Sequence, residues 1–213
     1  GDVKFVDVNG DGIIDENDKT KIGSAMPKWT FGWNNTFRYK NLDLTIFVNG
    51  SIGNKVGNYM KMKLTHMNSP WQNQLVDCGN HALLAPKNGQ AVDNWYYDAS
   101  NVIVTNPDCA YPRASINDPS DNDVWSDRFI EDGSYLRLKS ITLGYTFDKQ
   151  LIKKLGLTNL RLTLNATNLL TITGYDGYDP EIGASTASQN VYGLDNGRYP
   201  APTSFTFGLN VSF

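Results

Sequence analysis

The stretch WTFGWNNTFRYKNLDLTIFVNG, residues 29–50, decides how the rest of the chain is read. Its odd positions Trp29, Phe31, Trp33, Phe37 and Tyr39 are aromatic, whereas the even positions Thr30, Gly32, Asn34, Thr36 and Arg38 are small or polar. Side chains of a strand point alternately to two sides, so this run is one strand with two unlike faces. Lys40 and Asn41 leave room only for a tight turn. Beyond them Leu42, Leu44, Ile46 and Val48 alternate with Asp43, Thr45 and Asn49, and the two runs together make a hairpin.

Three later segments repeat the pattern. In SYLRLKSITLGYTF, 134–147, the apolar positions run from Leu136 and Leu138 to Ile141, Leu143, Tyr145 and Phe147, with a phase slip near Ser140 that a β-bulge would produce. Residues 159–170 set Leu160, Leu162, Leu164 and Ala166 against Asn159, Arg161, Thr163, Asn165 and Thr167. The run TSFTFGLNVSF, 203–213, sets Phe205, Phe207, Leu209, Val211 and Phe213 against Ser204, Thr206, Gly208, Asn210 and Ser212. Five strands and no long helix predict an all-β fold.

The connections alternate in length: short at 40–41 and 148–158, long between the second and third strands and again between the fourth and fifth. Loops that long are uncommon inside a compact domain. Outer-membrane barrels join antiparallel strands by short periplasmic turns and long outer loops. The apolar side carries Trp29, Tyr39, Tyr145, Phe147, Phe205 and Phe213 near strand ends, as interfacial girdles do, and the other side suits a wet lumen. Membrane barrels start at about eight strands, so five predict part of a larger sheet. A β-sandwich with one solvated face remains the alternative from alternation alone.

Composition narrows the function classes. The chain has 213 residues, 40% of them hydrophobic, and a net charge of −3, which gives no reason to expect nucleic acid. No apolar run approaches the ~18 residues of a membrane helix, and nothing at the first residues resembles a signal peptide, as for a chain that begins inside a gene product. Cys78 and Cys109 lie in a polar region without zinc spacing and are expected to pair as a disulfide. His66 and His81 stand alone in sequence, and no nucleophile–base order or phosphate loop appears. The acid pairs Glu131/Asp132 and Asp179/Glu181 sit beside strand ends. No enzyme is expected.

The run DVNGDGIIDEND, 7–18, carries the one motif with metal chemistry. Asp7, Asn9, Asp11, Ile13, Asp15 and Asp18 occupy places 1, 3, 5, 7, 9 and 12 of an EF-hand-type loop, with Gly12 at place 6. All ligands are hard oxygens, side-chain ones except for the carbonyl of Ile13, and they suit structural Ca²⁺. Asp18 stands where a longer Glu is usual, which leaves Mg²⁺ or weaker calcium binding open, and a solvated Asp/Asn/Gly turn is the plainer alternative. Flat aromatic side chains at Trp71, Trp95, Tyr96, Trp125, Tyr175 and Tyr178 are candidate platforms for cargo or for a lid protein. Arg38, Arg137 and Arg161 fall on the polar face, to bias passage by charge or to pair internally.

Five blocks in order resemble the C-terminal part of SusC/RagA-family TonB-dependent outer-membrane transporters: GDVKFVDVNGDGIIDENDKTKIG, PKWTFGWNNTFRYKNLDLTIFVNGSIGN, RFIEDGSYLRLKSITLGYTF, LGLTNLRLTLNATNLLTITGYDGYDPEIG and YPAPTSFTFGLNVSF. The resemblance implies a C-terminal segment of a large antiparallel transmembrane β-barrel in the bacterial outer membrane, with 1–28 an extracellular loop, 29–50 a hairpin, 51–132 a long extracellular loop and 133–213 the last three strands. It implies import of oligosaccharides or peptides with a SusD-like surface lipoprotein, driven by TonB through a plug that these residues do not include. The C-terminus is then periplasmic, with Phe213 as barrel-assembly signal. The alternative function is a secreted, calcium-dependent carbohydrate-binding β-sandwich module.

Overall fold

The computed structural model describes residues 1–89, 95–183 and 191–213. In chain order its elements are β1 (Trp29–Tyr39), β2 (Leu42–Ile52), β3 (Lys55–Asn58), α1 (Tyr59–Thr65), β4 (Leu84–Pro86), β5 (Val102–Val104), β6 (Ile130–Asp132), β7 (Tyr135–Thr146), α2 (Lys149–Lys153), β8 (Asn159–Thr173), β9 (Leu194–Asp195) and β10 (Ser204–Ser212). The five long strands form one sheet in the order β1-β2-β7-β8-β10, and every neighbouring pair in it is antiparallel. They are the five strands that alternation predicts. Residues 51–132, expected as a loop, also hold α1 and short strands, whose runs are too brief to carry a periodic signal.

Register turns the alternation of single strands into rows that cross the sheet. Phe37, Leu44, Leu143, Leu164 and Phe207 are successive cross-strand partners. One residue along, Thr36, Thr45, Thr142, Asn165 and Thr206 make the next row on the opposite face. A one-residue slip of any strand would send all its apolar side chains to the polar side, so the shared pattern pins the register. Lys139 is skipped between Leu138 and Ser140 in both pairings of β7, and this bulge accounts for the phase slip in the sequence.

The apolar face is exposed. Phe37 is 53% accessible, Leu164 48% and Phe207 69%. Trp29 and Tyr39 lie at opposite ends of β1, and Tyr145 and Phe147 meet edge to face at 4.9 Å beside the short connections. Phe205 is the second residue of β10, near its end as expected, yet it lies inside the sheet. It partners Ala166 in the row of Ile46 and Ile141, because β8 extends past the start of β10.

Residues 40–41 and 147–158 close one end of the sheet, while the chain leaves and re-enters at the other end between β2 and β7 and between β8 and β10. The chain divides into two compact units. One comprises Gly1–Ile22 and Asn58–Phe129; the other, which contains the five-stranded sheet, comprises Gly23–Gly57 and Ile130–Phe213.

Candidate functional site: the polar face and the loops beyond it

The polar face of the sheet is a hydrogen-bonded surface built from short polar and charged side chains. Thr36 and Thr45 hydroxyls lie 3.1 Å apart, and the Thr142 hydroxyl donates to Asn165 Oδ1 at 2.9 Å. Arg161 on β8 reaches across β7 to Asp43 on β2, Nη1 to Oδ1 at 2.7 Å and Nη2 to Oδ2 at 2.8 Å. The strand between them carries Gly144 at the crossing point, and a Cβ there would run into both the guanidinium and the carboxylate. A glycine that weakens a strand elsewhere is here the condition for a bidentate ion pair.

Arg137 makes a second and more buried cluster near the long-connection end. It is 3% exposed. Its Nε donates to the Thr171 hydroxyl at 2.9 Å, Nη1 to Glu181 at 2.7 Å and Nη2 to Asp179 at 2.5 Å, while Lys139 also reaches Glu181 at 2.8 Å. Asp179 further accepts the N–H groups of Glu181 at 2.9 Å and Ala201 at 3.0 Å. Burial alone would raise the Asp179 pKa, but the bonds from Arg137, Ala201 and Glu181 outweigh it and hold the carboxyl below its usual range. The pair Asp179/Glu181 is therefore a clamp for the segment after β8. Arg137 and Arg161 pair internally, the second of the two roles open from sequence.

Tyr175 is 6% exposed, and its hydroxyl donates to Asp195 Oδ2 at 2.7 Å. Burial first, and then that carboxylate, push its pKa well above the ordinary phenol value. A buried ring bonded in this way is not a platform for cargo, which corrects the expectation for Tyr175. Tyr178, in the same segment, is 70% exposed and keeps an open face. In the other unit Trp71 is 92% exposed, Trp95 and Tyr96 meet edge to face at 5.9 Å, and Trp125 packs between Tyr59 and Phe129 at 6.3 Å from each.

The acidic loop curls on its own backbone. Asp7 accepts the N–H groups of Gly10 at 2.6 Å and Gly12 at 2.8 Å, Asn9 that of Asp11 at 2.9 Å, and Asp11 that of Ile13 at 2.8 Å. Asp18 accepts from Val8 and Asp15, both at 2.8 Å, and those backbone bonds lower its pKa. Gly10 and Gly12 take φ of +78° and +81°, a left-handed conformation that a Cβ disfavours, so glycine at place 6 is explained. Among the described residues the one trio of His, Cys or carboxylate atoms within 4.8 Å lies elsewhere, at His66, Asp118 and Asp123. The carboxylates of the acidic loop are spread over its turns rather than converged on a point.

The expected disulfide is not formed. Cys78 and Cys109 are both free; Cys78 is buried with Sγ turned toward the Leu64 carbonyl at 3.5 Å, and burial raises its pKa. His66, alone in sequence, has two carboxylate neighbours in space, 52 and 57 residues further along the chain, a separation at which periodicity carries no signal.

No family model matches the chain. It is 33% identical over 213 residues to TonB-dependent receptor P3 of Formosa agariphila, covering 98% of this chain and 19% of that protein. TonB-dependent receptor P26 of the same organism is 32% identical over 100% of this chain and 20% of its own length. TonB-dependent receptor SusC of Bacteroides thetaiotaomicron is 27% identical over 98% and 17%. The chain thus spans about a fifth of the length of the curated relatives it matches. Among solved structures, the RagAB peptide transporter superposes with a TM-score of 0.64 at 20% identity, covering 94% of this chain and 19% of that one, and the RagAB peptide importer in its open-open state with 0.63 at the same identity and coverage. The relatives are receptors rather than enzymes. Likeness in sequence along the whole chain and likeness in fold make this chain a C-terminal part of a SusC/RagA-type TonB-dependent receptor.

Proposed function

We propose that the five long strands are adjacent staves of an outer-membrane barrel that imports oligosaccharides or peptides, with a SusD-like surface lipoprotein as partner and TonB as the source of energy. The observation that carries this reading is the open apolar face of the sheet. Its aromatic and aliphatic rows are open, while its polar side bears the buried Arg137. An apolar face of that breadth needs a cover, and hydrocarbon is the cover that asks nothing in return from hydrogen bonding. A carbohydrate-binding sandwich would bury the row from Phe37 to Phe207 under a second sheet, and that row is exposed.

In this reading the short connections at 40–41 and 147–158 and the C-terminus face the periplasm, and the long segments face outward. Cargo passes along the Thr, Asn and Arg face without bond chemistry. Tyr178, Trp71 and the Trp95–Tyr96 pair are the aromatic contacts offered to cargo or lid. The residues of the acidic loop have the hard oxygens that structural Ca²⁺ takes, and their carboxylates, now turned onto the backbone, would have to converge on the ion to bind it. Asp7, Asn9, Asp11, Asp15 and Asp18 with the Ile13 carbonyl would hold the ion and fix the loop.

The test is fractionation of the source cells followed by purification of the polypeptide that contains this sequence. A mass several times 23.7 kDa in the outer membrane, with a lipoprotein co-purifying and uptake of labelled oligosaccharide or peptide lost on deletion, supports the proposal. A soluble polypeptide near that mass overturns it.

A further inference from the structure

His66 follows the last residue of α1 and is 8% exposed. Its Nε2 lies 3.3 Å from Asp118 Oδ2 and its Nδ1 lies 3.2 Å from Asp123 Oδ2. One ring nitrogen and one oxygen of each carboxylate fall within 4.8 Å of one another. Charge-assisted N–H···O bonds are typically ~2.7–2.9 Å long. Ligand atoms around a tetrahedral ion with bonds of ~2.0–2.1 Å stand about 3.3 Å apart, which is the spacing from Nε2 to Asp118; Asp123 stands nearest the other ring nitrogen, so its carboxylate has to swing to share Nε2 with Asp118.

The surroundings are those of a supported ligand set. Asp118 is held on both oxygens by Asn122, whose Nδ2 donates to Oδ1 at 2.6 Å and whose N–H donates to Oδ2 at 2.8 Å. Asn122 is itself 7% exposed, with Nδ2 also donating to Asp2 at 3.1 Å and Oδ1 accepting the Val3 N–H at 2.7 Å. Outer bonds of this kind fix a ligand's orientation in metal sites. Asp123 is 28% exposed, and Lys63 stands 3.9 Å from it, so its carboxylate has the freedom to close on an ion. The two carboxylates place a charge of −2 around one side chain, offset in part by Lys63 at 3.9 Å, while Arg113 is engaged by Asp2 at 2.7 Å. A divalent cation balances that charge.

We propose that His66, Asp118 and Asp123 bind a first-row divalent metal ion of the zinc type, with water completing the shell. An imidazole with two carboxylates is a donor set for zinc, iron or manganese rather than for calcium, which takes oxygen alone. This site is therefore chemically distinct from the acidic loop and does not depend on the import reading.

The test uses the complete receptor extracted in detergent, freed of metal with a chelator and titrated with ZnCl₂ in calcium-containing buffer, with CoCl₂ absorption as a second readout. The expected result is one zinc site that raises Tm and a cobalt spectrum of mixed nitrogen and oxygen ligation. His66→Ala and Asp123→Asn weaken zinc binding at least tenfold, while Asp7→Ala with Asp11→Ala leaves it unchanged. Asp123→Asn, isosteric and partly exposed, decides the matter if His66→Ala does not fold. Wild-type receptor that takes up no more zinc than Asp123→Asn, or shows the same Tm with chelator and with zinc, overturns the proposal and reduces the cluster to an ion pair.

Discussion

Arg137→Ala should release the segment after β8 while leaving the sheet in place. The guanidinium is buried and holds Thr171, Asp179 and Glu181 at once. Hydrogen bonds to charged groups contribute roughly 1.5–3 kcal/mol each, and truncating one partner of a buried pair costs about 3–5 kcal/mol. Two features moderate that figure. Asp179 keeps the N–H groups of Glu181 and Ala201, and Glu181, 39% exposed, keeps Lys139. A partly exposed pair is screened by solvent, so the Glu181 share counts little. About 3 kcal/mol remains, nearly all of it on the Asp179 side, and at 1.36 kcal/mol per decade local opening becomes about 100-fold easier. Hydrogen exchange on the complete receptor in detergent reads this directly: amides of 174–183 should lose about 100-fold in protection while those of β2 change little. Because the Asp179 pKa is lowered, the clamp is fully present above the ordinary carboxylate value of 3.8 and is lost as pH falls through the lower native value. The same amides should therefore open in acid and not in base. The reasoning is refuted if protection in 174–183 changes less than threefold in Arg137→Ala, or if the loss spreads evenly through β7 and β8. A coupling between Arg137→Ala and Asp179→Asn under ~0.5 kcal/mol would refute it equally.

Leu143→Arg places a charge in the middle of the apolar row and should cost ~2–4 kcal/mol in lipid, with less receptor assembled in the outer membrane. Thr206→Arg, one row away on the polar face, should assemble normally, and equal losses would contradict the assignment of faces. Asp7→Ala with Asp11→Ala should abolish calcium uptake by the acidic loop and leave 1–22 more open to protease; calcium binding that survives both changes would exclude the loop as the site. Cys109 should react with a maleimide much faster than Cys78, which is buried and raised in pKa, and an intact mass 2 Da lower without reductant than with it would contradict free thiols.

What was legible in the sequence was whatever has a short period. Phe37, Leu44, Leu143, Leu164 and Phe207 each announce their face through neighbours two residues away, and the sheet follows from that repeated local fact. The bulge at Lys139 was legible for the same reason, as a defect in a regular pattern. The turns of the acidic loop were legible because its glycines and short acids stand at fixed offsets, and its hydrogen bonds turn the carboxylates onto the backbone. Tyr175 misled, because an aromatic between Gly174 and Asp176 reads as a loop tip, and only the distant Asp195 makes it a buried, bonded ring. The cysteines misled for a related reason: two thiols 31 residues apart in polar sequence suggest a bridge, and the Cys78 side chain turns instead toward the Leu64 carbonyl of α1.

The polar face imposes a demand that an ordinary surface does not. Arginine on the wall of a barrel cannot bury its charge in lipid and cannot be left unpaired once a loop covers it. Arg161 meets that demand within the sheet, through Asp43 and the absent side chain of Gly144. Arg137, nearer the long-connection end, meets it with Asp179 and Glu181, so the same pairing that neutralises the arginine also draws the following segment down onto the face. In the import reading that segment narrows the path at its outer end. In that reading the charges of Arg137 and Arg161 are cancelled before cargo arrives, and selection falls to the Thr and Asn rows and to exposed rings such as Tyr178. A passage lined in this way would discriminate by shape and hydrogen bonding more than by net charge, so uptake of acidic and basic variants of one cargo should differ little at physiological salt.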